Sequence, residues 1–217
     1  MVGVMNLAGK FIVLDGGDGA GKGTQLARLA VWIESAGGSC VCTRDPGGTV
    51  IAERIRHVLL GHDLSDMDPT CEALLFMAAR AQLVAEVVRP ALAAGRTVLC
   101  DRFISATCAY QVAAGYPRAR VLELGRYAVG ETWPDLTLVL DVPAEVGLER
   151  SGQRALQAEG AARDAMERRP LEFHRRVREL FRELPAVYPA PVVLIDGARD
   201  VAAVLGDLQE ALRRAFP

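Results

Sequence analysis

Lys10-Phe11-Ile12-Val13-Leu14-Asp15 (KFIVLD) is a short apolar run that ends directly on Gly16-Gly17-Asp18-Gly19-Ala20-Gly21-Lys22-Gly23-Thr24 (GGDGAGKGT). The first part reads as a buried strand. The second has the G-x-x-x-x-G-K spacing of a loop that cradles phosphates, and helical spacing begins at Lys22. Glycines let successive backbone N–H groups point inward at phosphate oxygens, and the helix N-terminus adds partial positive charge. Lys22 supplies a full charge to the β- and γ-phosphates. Gly16, Gly17, Asp18, Gly19, Ala20, Gly21, Lys22, Gly23 and Thr24 are therefore the candidate phosphate cradle. The basic residues are 23 Arg and only two Lys, Lys10 and Lys22; a compact point charge appears where a phosphate loop wants one. The Ser or Thr that usually follows the lysine and holds Mg²⁺ is Gly23, with Thr24 one place later. The ion is then expected to be held mostly by phosphates and waters, which it retains readily.

Outward from this loop, strands and helices alternate. Further strands are expected at 39–43, 97–100, 136–141 and 192–196. Helices are expected from Lys22 to about Ala36, from Thr49 to about Leu60, and from Asp68 to about Ala94 with Pro90 as a kink. Others follow at 104–113, 118–129 and about 200–215. Such alternation implies parallel pairing in an α/β layered domain, and the apolar strands imply helices on both sheet faces. Asp101-Arg102-Phe103 closes the third strand, where a parallel sheet presents its ligand crevice. Asp101 is thereby a candidate for the metal shell, and Arg102 for a second phosphate. Residues 1–9 read as a frayed extension. The remainder, 10–217, reads as one domain, with a polar flap between two helices at about 150–168.

Composition narrows the classes. A chain of 217 residues, 51% apolar and 24% charged, is an ordinary globular protein. A net charge of −2 gives no reason to expect nucleic acid or an acidic membrane as a partner. No apolar run reaches the roughly 18–20 residues of a membrane span, and the first residues lack a secretory pattern. Cys40, Cys42, Cys71, Cys100 and Cys108 are odd in number and have no C-x-x-C pairing, so buried reduced thiols and a cytoplasmic location are expected. His57, His62 and His174 form no ligand-spaced cluster. Nine arginines fall between Arg150 and Arg182.

Six stretches in order, FIVLDGGDGAGKGTQ, TRDPGGT, ALLFMAARAQL, DRFISATCAYQ, PDLTLVLDVPAEVGLER and DAMERRPLEFHRRV, resemble bacterial thymidylate kinases over nearly the whole chain. The resemblance implies a three-layer P-loop nucleoside-monophosphate-kinase fold: a five-stranded parallel sheet flanked by helices, with a short mobile lid. It implies transfer of the ATP γ-phosphoryl group to dTMP with Mg²⁺, in a cytoplasmic homodimer. It also assigns residues. Phe76 stacks on thymine, and Arg80, on the same helix face, hydrogen-bonds the base's O4 edge. Thr107 makes a polar contact to the base, Gln111 completes the signature, and Tyr110 crowds the sugar's 2′ position. Asp18 faces the acceptor's sugar and phosphate. Arg102 grips that phosphate, with Arg44 as a weaker candidate. Some relatives carry a catalytic arginine in the phosphate loop; here that position is Gly19, which points to lid arginines instead, with Arg150, Arg154 and Arg163 as candidates. Ala165 stands where the family often has Arg, so Arg163 or Arg168 is the substitute. Ala106 stands where the family often has Ser, with Ser105 one place earlier.

The alternative is another nucleoside-monophosphate kinase of the same fold, since the GKGT form of the loop also occurs in adenylate kinases. A GTPase-type switch would predict an N-K-x-D segment, which is absent.

Overall fold

The computed structural model describes residues 6–61, 67–157 and 166–217, with the side chains of 154–157 also outside the description. Five strands form one wholly parallel sheet in the order β2-β3-β1-β4-β5. They are β1 (Phe11–Gly16), β2 (Cys40–Arg44), β3 (Thr97–Asp101), β4 (Leu136–Asp141) and β5 (Val192–Asp196). Helices α1 (Lys22–Ser35), α2 (Val50–Leu60), α3 (Pro69–Leu83), α4 (Arg89–Ala93), α5 (Ile104–Ala113), α6 (Arg118–Val129), α7 (Ala144–Gln157), α8 (Leu171–Val187) and α9 (Val201–Ala215) connect them. Ile12 and Leu14 of β1 face a core with α1 and α9, while Phe11 and Val13 face a core with α3, α5 and α8. That alternation is the period of two that a strand imposes. None of the described helices is long and apolar enough to cross a membrane.

Local chemistry sets the element ends. Thr49 caps α2 by accepting from the Ala52 N–H, and Asp68 caps α3 by accepting from Thr70 and Cys71, with Pro69 in the first turn. The expected single helix over 68–94 is continuous but changes pitch. Between α3 and α4, Val84–Val88 is a π-helical turn closed by the Arg89 N–H on the Val84 carbonyl. The irregularity thus precedes Pro90, whose missing N–H frees the carbonyl one turn back.

Helices cover both sheet faces as expected, and β5 touches both α8 and α9, although Val193 and Leu194 of this edge strand are each 37% exposed. Two expectations need correction. The cysteines are not all buried: Cys40, Cys100 and Cys108 are, whereas Cys42 on edge strand β2 and Cys71 in the first turn of α3 are exposed. Burial pushes the Cys40 thiol up to about 11 and the Cys108 thiol up to about 12. Finally, residues 6–9 are docked rather than frayed. Leu7 is buried and its carbonyl accepts from Thr97 Oγ1, while the Gly9 N–H donates to Gly95.

Candidate active site

The carboxyl ends of β1 and β3 lie side by side, with Leu14 level with Asp101. This register brings the phosphate loop against Asp101 and Arg102. The loop itself is open to an anion. Gly21 caps α1 in a left-handed conformation with no side-chain hydrogen bond, and the first turn carries no acidic residue. The helix N-terminus therefore keeps its N–H groups and partial charge for a ligand. Lys22 is 8% exposed and its Nζ donates to the carbonyls of Gly16 (3.1 Å) and Gly17 (2.8 Å). Burial, reinforced by neighbouring Arg102, holds its pKa below the ordinary lysine value, with Asp101, Asp18 and Asp15 opposing.

Gly19 explains why this loop carries no arginine. Its φ of +69° disfavours any side chain, and a Cβ there would run into the carbonyl of Gly147 in α7. A Cβ on Gly147 would in turn strike the Asp18 carbonyl. The loop and the helix leading to the flap pack backbone to backbone, leaving no space for a side chain at position 19.

Arg102 is the described non-glycine residue with positive φ, at +70°, a conformation that L-residues adopt at a cost and that clusters at functional sites. Its guanidinium is held on two edges. Nη1 donates to the Gly16 carbonyl at 3.0 Å and lies 3.5 Å from Asp15 Oδ1. Nη2 donates to Asp18 Oδ1 at 2.6 Å and to the Tyr110 hydroxyl at 3.2 Å. The Tyr110 hydroxyl donates to Asp18 Oδ2 at 2.8 Å, and the guanidinium carbon sits 4.8 Å from the Tyr110 ring centre. Burial alone would raise Asp18, but Arg102, Lys22 and the Tyr110 hydrogen bond outweigh it and hold the carboxyl below its usual value.

Two adjoining cavities open here. The first is lined by Leu60, Phe76, Arg80, Ala106, Thr107, Gln111 and Met166, among others, apolar walls with a few convergent polar groups, as small-ligand pockets have. The second is a polar channel lined by the loop residues Asp18, Gly19, Gly21, Lys22, Gly23 and Thr24, and by Arg44, Asp101 and Glu167. Asp18, Asp45, Arg56 and Arg102 border both. A ligand with an apolar ring and a phosphate fits the first cavity with its phosphate at the junction. A second, more highly charged phosphate chain fits the channel.

Arg80 is 1% exposed. Nε donates to Asp45 Oδ2 at 2.5 Å, and Nη2 donates to Phe103 O and Thr107 Oγ1, both at 3.0 Å. Nη1 reaches Met77 Sδ at 3.0 Å. Most of its donors are thus committed to the protein, leaving one Nη1 proton for a ligand. Two buried polar atoms beside it have no partner among the described residues: Asp45 Oδ1, an acceptor, and Gln111 Nε2, a donor. Burial pushes the Asp45 carboxyl up, against the attraction of Arg80.

Most of the sequence-assigned residues come together. Asp18, Phe76, Arg80, Arg102, Thr107, Tyr110 and Gln111 all line the first cavity, and Asp101 faces the channel with a buried Oδ1 lacking a partner among the described residues. Arg44 reaches the channel but is also paired with Glu53 at 3.0 Å. Arg150 does not point at the loop; it donates to the carbonyls of Gly197 and Ala198. Arg168 is exposed. The side chain of Arg154 and the whole of Arg163 lie outside the described residues. Four contributors were missed by sequence reasoning: Asp45, Arg56, Met166 and Glu167. Arg56 gives no sequence signal, being one arginine among many on an amphipathic helix. Asp45 had one, since Arg80 interrupts an apolar helix face and a buried arginine needs an acid.

Among the described residues there is no cluster of three or more His, Cys, Asp or Glu suited to a metal. The Asp101 carboxylate and Thr24 hydroxyl are hard oxygen donors on the channel, a set that suits an ion supplying most of its own shell from phosphates and waters.

A model of the thymidylate kinase family matches residues 14–207. Among curated relatives, the thymidylate kinase of Desulfosudis oleivorans is 45% identical over 206 residues, covering 94% of this chain and 96% of its own. That of Pelobacter propionicus is 44% identical over 197 residues, covering 90% of each chain. That of Magnetococcus marinus is 39% identical over 211 residues, covering 97% and 98%. With the family model spanning residues 14–207 and relatives 39–45% identical over 90% or more of the chain, the chain belongs to the thymidylate kinase family.

Proposed function

We propose that this protein transfers the γ-phosphoryl group of ATP to dTMP, giving ADP and dTDP, as a cytoplasmic homodimer that uses Mg²⁺. The observation that carries the acceptor assignment is the pair of buried orphans at one cavity, Asp45 Oδ1 and Gln111 Nε2. Unpaired buried polar atoms are costly, so a ligand that pairs both is strongly favoured. An imide base offers an N–H between two carbonyls, which matches one orphan acceptor, one orphan donor and the remaining Arg80 proton. Phe76 provides a face for the ring, and Leu60, Ala106 and Met166 provide apolar wall for a 5-methyl group. Tyr110, fixed by Asp18 and Arg102, stands against the sugar.

The acceptor phosphate is largely a dianion at neutral pH, with a second pKa of about 6, so no strong general base is needed. Catalysis is alignment and charge neutralisation. Arg102 and Arg56 hold the acceptor phosphate at the junction of the cavities. Lys22 and the loop N–H groups neutralise the donor's β- and γ-oxygens. Asp101 and Thr24 would hold Mg²⁺, which would supply positive charge to offset that of the transferred phosphate. With position 19 closed, Arg154 and Arg163 remain the proposed lid arginines. Transfer of label from γ-labelled ATP to dTMP tests the reading directly. Removing the 5-methyl group should lower kcat/KM about tenfold, the cost of one missing methyl in an apolar pocket. Equal kcat/KM for dUMP and dTMP would show that Leu60, Ala106 and Met166 do not meet that methyl.

Support for the dimer comes from α3, where Cys71, Leu74 and Ala78 are exposed on one face and Leu74 is 49% exposed. The free buried thiols suit a reducing compartment. Leu74→Glu places a charge on that face and should yield a monomer by light scattering. A dimer of unchanged mass would place the interface elsewhere.

A further inference from the structure

Asp15 is wholly buried, yet it borders neither cavity. Its carboxylate accepts from the Gly16 N–H (2.9 Å) and from the hydroxyl of Ser105 (2.6 Å), itself wholly buried. A buried carboxylate is expensive unless it is paired, and the cation beside it is Arg102, at 3.5 Å. The Nη1 atom that faces Asp15 also donates to the Gly16 carbonyl. The opposite edge, Nη2, faces Asp18 and Tyr110, and both of those border the acceptor cavity. Arg102 therefore has an anchored edge inside the protein and a working edge toward the ligand. Its backbone is left-handed, a strained conformation of the kind that clusters at functional sites.

We propose that Asp15 and Ser105 form a positioning pair that holds the inner edge of Arg102, so that its outer edge meets the acceptor phosphate already oriented. Neither residue touches substrate. Ser105 fixes the Asp15 carboxylate, and Asp15 with the Gly16 carbonyl fixes Nη1. The inference rests on the assignment of dTMP as acceptor.

The test is steady-state kinetics of Ser105→Ala, Asp15→Asn and the double variant, with dTMP and ATP varied separately and melting temperatures recorded. Losing one hydrogen bond to a charged group predicts a rise in KM for dTMP of about fivefold in S105A and a larger rise, about twentyfold, in D15N. KM for ATP should stay within about twofold in S105A, because the lost hydroxyl reaches the donor channel only through Asp15. The double variant should raise KM for dTMP no further than D15N does, since Ser105 reaches Arg102 through Asp15. Unchanged KM for dTMP with a lowered melting temperature, equal rises for both substrates in S105A, or multiplied losses in the double variant would overturn the proposal. If D15N does not fold, S105A, which removes a single hydroxyl, decides by itself. A wild-type enzyme that ignores dTMP would instead defeat the acceptor assignment, so the two failures are distinguishable.

Discussion

Lys22→Ala is expected to lower kcat about a thousandfold while leaving the fold and the KM for dTMP nearly intact, the scale seen when a preorganised charge is removed from a transition state. The ammonium sits on the loop carbonyls of Gly16 and Gly17 at the head of α1, whose first turn has no side-chain cap and no acidic residue. Burial already disfavours its charged form, so the empty enzyme loses little stability when the charge goes. The loss therefore falls on the step in which charge spreads over the transferred group. Lys22→Arg should not restore it, because a planar fork does not replace a compact point charge in a tight loop. Turnover measured beside the melting temperature checks both halves. Residual activity above a tenth of wild type would show that the loop N–H groups and arginines suffice without Lys22.

Arg80→Met carries the largest expected cost in stability. It leaves Asp45 buried at 2% exposure with no cation on its Oδ2, and breaking such a buried pair from one side costs about 3–5 kcal/mol. Burial already pushes the Asp45 carboxyl up; without Arg80 it rises further. The folded-state pKa then lies above the unfolded one. Stability is retained below the unfolded pKa and falls as pH rises through the folded value. The destabilisation should accordingly be smaller at pH 5 than at pH 8. Adding Asp45→Asn removes the stranded charge and should recover much of the stability. Affinity for dTMP should stay low, because Phe103 O, Thr107 and the base edge have all lost their donor. Denaturant curves at the two pH values separate these effects. A stability change under 1 kcal/mol in R80M, with no pH dependence, would contradict the account of the pair.

The parts of this site that follow one another along the chain were legible without coordinates. A strand, a glycine loop with its lysine and the start of a helix are consecutive along the chain, and Asp101-Arg102 closes the strand that pairs with β1. Four-residue helical spacing put Phe76 and Arg80 on one face, and both border the first cavity. Contacts between distant segments were not legible. Asp45 precedes Pro46 and Gly47 and reads as a turn residue; its partner lies 35 positions away. Asp15 reads as the polar end of a strand, and Ser105 as a displaced serine, until the fold joins them across 90 residues. The π-helical turn at Val84–Val88 leaves the apolar spacing nearly unchanged and could be inferred only loosely from Pro90. Gly19 was read as a missing arginine; the cause of its absence, the Gly147 backbone, lies on a helix more than a hundred residues later.

The central claim is that the cavity between Phe76, Asp45 and Gln111 selects a thymine nucleotide. The most direct measurement is ADP formation from Mg·ATP with dTMP, dUMP, UMP, CMP, AMP and GMP offered one at a time, and with no acceptor. The account predicts rapid turnover with dTMP, a weaker second rate with dUMP, and little with the others or without acceptor. Comparable turnover of AMP, or ATP hydrolysis that ignores the acceptor, would contradict it and leave Phe76 and Arg80 with packing as their role.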